Sequence, residues 1–200
     1  MAQEDWRSLF NGHTLTGWAA TGKPEGWVVD HGCIACAARG GGYLYTQEQF
    51  ENFALSLDFR IVPGARSGVF FRWSDLADPV NTGFELQLLD TFGHEPPGEH
   101  DCGALCGLVA PAAQAVRPAG EWNEVLVCCQ GPVVRIDLNG QCVVEADTSH
   151  WTEAGRNPDG SQNPFAHAWA DMPRKGHIGI RDYGGRVWFR NVRLRELGQD

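Results

Sequence analysis

Between Phe53 and Ile61 every second residue is apolar: Phe53, Leu55, Leu57, Phe59 and Ile61. A period of two sends one set of side chains to a core and the other to solvent, so this segment reads as a half-buried strand. Pro63-Gly64-Ala65 interrupts the pattern, and Ser67-Gly68-Val69-Phe70-Phe71-Arg72-Trp73 resumes it. Similar runs predict strands over 26–30, 33–37, 83–90, 121–130, 133–138, 142–146, 177–182 and 186–197. Asp30-His31-Gly32 and Asn139-Gly140 separate neighbouring runs. The second is a strong hairpin signal, because a type I′ turn needs positive φ at both central residues.

No segment keeps a helical period for more than two turns; the stretch 47–52 is expected to form one helical turn at most. Polar connections span 75–82, 91–101 and 148–173, and loops of such length inside a compact domain usually carry function. Strands that follow one another at turn-sized spacing, without helices between them, select an antiparallel sandwich over a parallel α/β sheet. The expectation is one all-β domain over residues 1–200, without internal repeats or a linker.

Composition narrows the functions open to such a domain. Eight Trp and ten Phe supply a core, which argues against disorder. Sixteen Lys+Arg against twenty-five Asp+Glu leave a net charge of −9. No basic stripe is visible, so neither nucleic acid nor an anionic membrane is an expected partner. No apolar run reaches the roughly 18 residues of a membrane-spanning helix. The opening residues have neither a basic nor an apolar signal region, so the chain as given is expected in the cytoplasm, or in the periplasm or medium if a signal has been removed. Seven cysteines are an odd number. Cys33-x-x-Cys36 has zinc-knuckle spacing but no second pair to complete a site. Buried thiols are the expectation.

Strand parity groups the polar side chains. Glu85 and Gln87 face away from Phe84, Leu86 and Leu88; His177 and Arg181 face away from Ile178 and Ile180; Arg72 pairs in parity with Phe70, and Trp73 with the core. The expected result is one sheet face carrying Arg72, Glu85, Gln87, His177 and Arg181. The plain alternative is a solvated face with structural salt bridges. Asp90 ends a strand at the start of a long loop, as a site residue or a turn cap.

The motifs, in order, are Leu9-Phe10-Asn11-Gly12, Leu15-Thr16-Gly17-Trp18, Ser67 to Arg72, Gly83 to Asp90, Gly103 to Gly107, Pro118 to Asn123, Leu138-Asn139-Gly140, Gly176 to Gly184 and Val187 to Arg193. Together they resemble the 3-keto-disaccharide hydrolase domain family across nearly the whole chain. The resemblance implies a concanavalin A-like jelly-roll β-sandwich of two curved antiparallel sheets, with a sugar site on the concave one. It also implies a carbohydrate substrate already oxidised to a ketone at C3. The ketone acidifies the C2 proton; a base removes it, the C1 aglycone is eliminated, and water adds back. Two positions depart from the family pattern: Tyr183 stands where a histidine is usual, and Cys106 where a tyrosine is usual.

On that resemblance the catalytic candidates are Glu85 or Asp90 as C2 base and Arg72 as the charge that meets the ketone oxygen. Gln87, His177, Arg181 and Tyr183 are candidate substrate-binding residues, and Trp73 a candidate stacking platform. A non-catalytic lectin-like glycan-binding sandwich is the alternative from a different class, and an interaction domain with a degraded site is a third. No cofactor is firmly implied. A divalent cation such as calcium would find oxygen ligands at Asp75, Asp78 and Asn81, or ligands near His94 and His100, though neither spacing is specific. Trp18, Trp122 and Trp188 are expected to be buried.

Overall fold

A computed structural model of the chain describes residues 6–198. Its strands are β1 (Arg7–Ser8), β2 (Trp18–Ala20), β3 (Trp27–Asp30), β4 (Cys33–Cys36), β5 (Tyr43–Phe50), β6 (Phe53–Ile61) and β7 (Arg66–Trp73). They continue with β8 (Phe84–Leu89), β9 (Asn123–Gln130), β10 (Val133–Leu138), β11 (Gln141–Asp147), β12 (Gly176–Arg181) and β13 (Val187–Glu196). One α-helical turn, α1 (Pro79–Thr82), lies between β7 and β8. All strand pairs are antiparallel. One sheet has the order β11-β10-β9-β6-β13-β4-β3, with β1 also on β13; the other runs β2-β5-β12-β7-β8.

The alternating residues of β6 act as the pattern requires. Leu55, Leu57, Phe59 and Ile61 enter one apolar cluster with Val125 and Val127 of β9. Val69 and Phe71 of β7, Leu86 and Leu88 of β8, and Ile178 and Ile180 of β12 close the same cluster from the facing sheet. Each fully buried side chain of this size contributes roughly 1.5–3 kcal/mol. The core therefore fixes both sheets, and with them the outward residues between.

Three expectations are corrected. The stretch 47–52 is not a helical turn: residues 47–50 end β5, which is paired on both sides by β2 and β12. Ladder pairing of Gln49 and Phe50 with β12 overrides a weak local pattern. Trp18 is buried at 7%, but Trp122 and Trp188 are only half-buried. Val187 and Phe189 take the core, so parity sends Trp188 outward. There it stacks with Arg60 at 4.5 Å, while Trp122 stacks with Arg190 at 3.9 Å. Third, Trp73 does not sit with the core face. Along β7 three residue steps, Phe70 to Trp73, match only two along β12, Gly179 to His177. The extra residue is Arg72, at φ +52. This is a β-bulge, and it reverses the parity of Trp73.

All seven cysteines are free thiols. Burial pushes Cys36, Cys102 and Cys129 up to about 12, so they are protonated and inert at neutral pH.

Candidate functional site

The outward face of the five-stranded sheet carries two clusters. At one end the bulge at Arg72 brings Trp73 beside Phe70, Tyr43, Tyr45 and His177, with ring centroids 5.1–6.4 Å apart. Trp73 is fully buried under these neighbours, so it presents no open face to a sugar. His177 is also consumed: Nδ1 lies 2.7 Å from the Thr46 carbonyl, and Nε2 lies 2.9 Å from the side-chain amide of Gln49. A carbonyl only accepts, so Nδ1 carries the proton and Nε2 accepts from Gln49.

The second cluster surrounds Glu85. Its carboxylate is 11% exposed and 3.9 Å from Nη1 of Arg181. The Tyr183 hydroxyl donates to Glu85 Oε1 at 3.2 Å. The Tyr183 ring lies between two guanidiniums, Arg181 at 3.9 Å and Arg66 at 4.2 Å. Arg66 Nη2 donates to Gln87 Oε1 at 2.9 Å, and Gln87 is fully buried. Glycine makes this packing possible: a Cβ at Gly68 would stand 2.0 Å from Glu85 Oε1. Tyr183 leaves the sheet just after β12, and Asp182 fixes that exit by accepting from Gly41 N (2.9 Å) and Gly184 N (2.7 Å). Burial alone would raise the Asp182 carboxyl, but hydrogen bonds from Cys36, Gly184 and Gly41 hold it below its ordinary value.

The loops complete the enclosure. Residues 103–106 run along the free edge of β8, with Gly103 N donating to Gln87 O (2.9 Å) and Cys106 N to Glu85 O (2.8 Å). The edge is thereby covered, and Cys106 Sγ arrives 3.5 Å from Gln87 Oε1 and 3.6 Å from His100 Nδ1. The long connection between β11 and β12 supplies Phe165 and Trp169. The result is a cavity of about 160 Å³ with Glu85, Arg66, Arg181 and Tyr183 on one side and Phe84, Leu108, Phe165 and Trp169 among its apolar lining. It lies below the roughly 300–1,000 Å³ of typical small-molecule pockets.

The charges follow from this enclosure. Burial pushes the Glu85 carboxyl above its ordinary value; Arg181, Arg66 and the Tyr183 hydroxyl pull the other way without cancelling it. Burial, then the nearby carboxylate, pushes the Tyr183 phenol up, so it is a protonated donor at neutral pH. The same two causes lift the Cys106 thiol to about 11.

The other candidates lie elsewhere. Arg72 is only 2% exposed and donates through Nε and Nη2 to the carbonyl of Glu51, at 3.2 and 3.1 Å. The bulge takes it out of the face that holds Glu85, and the two do not meet. Asp90 accepts from Gly64 N at 2.9 Å and caps the turn between β6 and β7. Asp78 caps α1 and Asp75 accepts from Ala77 N, while His94 pairs with Asp101 at 2.9 Å. Among the described residues no three His, Cys, Asp or Glu side chains converge as metal ligands. Arg66 escapes the parity reading because the apolar pattern resumes only at Ser67; parity puts it with Gly68 and Phe70. Trp169 and Phe165 lie in a loop with no periodic signal.

Comparisons with known proteins show the family and the fold. Residues 5–195 match the model of the 3-keto-alpha-glucoside-1,2-lyase-like domain. A 3-keto-disaccharide hydrolase of Bacteroides thetaiotaomicron is 27% identical, over 95% of this chain and 78% of its own length. A crystal structure of a proposed glycosyl hydrolase from Parabacteroides distasonis superposes with a TM-score of 0.86 at 32% identity, covering 96% of this chain and all (100%) of the other. A Bacillus licheniformis β-glucanase shares only 10% identity but superposes at a TM-score of 0.54 over 97% of this chain and 98% of its own. That likeness shows the jelly-roll fold. The chain belongs to the 3-keto-alpha-glucoside-1,2-lyase-like domain family.

Proposed function

We propose that the protein cleaves 3-keto-glycosides in the Glu85 cavity by removing the C2 proton and eliminating the C1 aglycone. The observation that carries this reading is a single mostly buried carboxylate, raised in pKa, with a guanidinium 3.9 Å away and a phenol donating at 3.2 Å. An ordinary retaining or inverting glycosidase needs two carboxyl groups flanking the bond, about 5–9.5 Å apart. Asp90, the other carboxylate expected at the site, caps a turn instead.

In this reading Glu85 takes the C2 proton, and the electron pair passes through the C2–C3 bond to the ketone oxygen as an enolate. Arg181 takes the role expected of Arg72, meeting the developing negative charge in a water-poor site, where a fixed donor is worth a few kcal/mol. The enolate then collapses, a C1–C2 double bond forms, and the C1–oxygen bond breaks. The leaving oxygen receives the proton held by Glu85, directly or by way of Tyr183. Water adds across the double bond, and the net result is hydrolysis. A raised carboxylate pKa suits a base working near neutral pH. Tyr183 in place of the family histidine keeps a donor next to the base.

Incubation with a 3-keto-glucoside bearing a chromogenic aglycone tests the reading. Release of the aglycone from the oxidised sugar and not from the parent glucoside is expected. Equal release from both overturns it, and binding without release favours the glycan-binding alternative.

A further inference from the structure

The outward face of the larger sheet carries a ladder of alternating guanidiniums and indoles. It runs Arg190, Trp122, Arg60, Trp188, Arg186, with successive guanidinium carbons and ring centroids 3.9, 4.9, 4.5 and 5.0 Å apart. Trp122 belongs to the motif Pro118 to Asn123, and Trp188 and Arg190 to the motif Val187 to Arg193; neither motif borders the Glu85 cavity. The two outer arginines have carboxylates: Arg190 Nε lies 3.0 Å from Asp58 Oδ2, and Arg186 Nη2 lies 3.2 Å from Asp30 Oδ2. The central one has none. Among the described residues Arg60 makes no ion pair and no hydrogen bond, and its partners are the faces of the two indoles. Of its three side-chain nitrogens only Nε is buried, so Nη1 and Nη2 remain open to a ligand.

Arg60, Trp122, Trp188, Arg190, Asn191 and Asp30 border a cavity of about 360 Å³, within the roughly 300–1,000 Å³ of small-molecule sites. Three arginines against two aspartates leave the ladder one positive charge in excess, in a chain of net charge −9, and that charge sits on Arg60. A guanidinium offers parallel N–H donors that match a carboxylate. Clamped between two rings, it loses little freedom when it binds one. A single excess charge fits a monoanion, whereas a phosphate dianion would also face Asp30. The cavity shares Gly32 and Asn191 with a larger groove of about 890 Å³ along Ser56, Asp58, Glu124 and Asp137. Carboxylates accept from hydroxyls, so that groove suits neutral sugar units beside one acidic unit.

We propose that Arg60 anchors a second ligand site, on the sheet opposite the Glu85 cavity, which takes the carboxylate of a uronic acid unit in a glycan. The site binds and performs no chemistry. It stands whether or not Glu85 carries out the proposed reaction, because no residue is shared between the two.

The test titrates the full chain with methyl glucuronide, its uncharged methyl ester, inorganic phosphate and N-acetylaspartate amide. Binding is read by calorimetry and by the indole N–H resonances of Trp122 and Trp188. The glucuronide should shift both resonances, and the ester should bind at least about 10-fold more weakly, since it cannot accept the charged fork. Arg60→Gln should weaken glucuronide binding roughly 10–100-fold, while kcat/KM on a neutral chromogenic 3-keto-glucoside stays within about 2-fold of wild type, because Arg60 lies outside the Glu85 cavity. The comparison of acid with ester needs no variant, so it decides even where Arg60→Gln does not fold. Equal affinity for acid and ester, or unmoved indole resonances, would overturn the site. Phosphate bound as tightly as the glucuronide would overturn the carboxylate assignment, and N-acetylaspartate amide bound as tightly would replace the glycan with an acidic peptide.

Discussion

Glu85 is held between opposing influences: burial disfavours its charge, while Arg181, Arg66 and the Tyr183 hydroxyl favour it, and burial prevails. A carboxyl whose pKa is higher in the folded state than in the unfolded chain binds its proton more tightly when folded. The stability it contributes is fully present below the ordinary carboxylate pKa, near 4.5, and is lost as pH rises through the raised folded value. Glu85→Gln mimics the protonated form at every pH. Thermal melts across pH should therefore show variant and wild type close together at pH 4, with the variant gaining relative Tm as pH rises. A wild-type advantage that grows with pH would mean that the ion pairs outweigh burial. The same raised pKa places the acidic limb of the kcat/KM profile above the ordinary carboxylate range. Glu85→Gln should lower kcat by on the order of 10²–10⁴-fold.

At the level of single elements, β7 explains both what is readable in the sequence and what is not. Glu85, Gln87 and Arg181 sit on unbroken stretches, so alternation alone puts them on one outward face. Arg72 is the residue of a bulge, and nothing in Phe70-Phe71-Arg72-Trp73 announces an extra residue; parity therefore misplaces both Arg72 and Trp73. The strand character of β5 is hidden because its second half is polar and its two partners are distant in sequence. Two outcomes belong to β7. Gly68→Ala would bring a Cβ 2.0 Å from Glu85 Oε1. Glu85 Cδ and Cγ would also come within 2.8 Å, so the whole enclosed side chain must swing aside: Tm should fall measurably, and the displaced carboxylate costs roughly 10²-fold in kcat/KM. Arg72→Ala removes the partners of the Glu51 carbonyl, and urea unfolding should show a loss of about 1–3 kcal/mol. Its kcat/KM per folded molecule should stay within a few-fold of wild type. A collapse of activity at full stability would return Arg72 to the chemistry.

Across the whole molecule, the all-β sandwich is legible because its core strands alternate cleanly and its hairpins carry their own turn residues. The cavity is only half legible. The sheet supplies its polar side in register with the pattern, while the loops at 91–109 and 148–173 supply Cys106, His100, Phe165 and Trp169 without a periodic signal. Tyr183, beyond the end of β12, is reachable through the motif resemblance alone. The proposed chemistry requires that the ketone, not a pair of carboxylates, makes cleavage possible. The most direct test is exchange of the C2 proton of a 3-keto-glycoside in deuterated water, read by mass spectrometry. Wild type should incorporate deuterium at C2 of the sugar product while releasing the aglycone, Glu85→Gln should do neither, and the unoxidised glycoside should be untouched by both. Cleavage of the unoxidised glycoside at a comparable rate, or exchange that survives in Glu85→Gln, would contradict the proposed reaction.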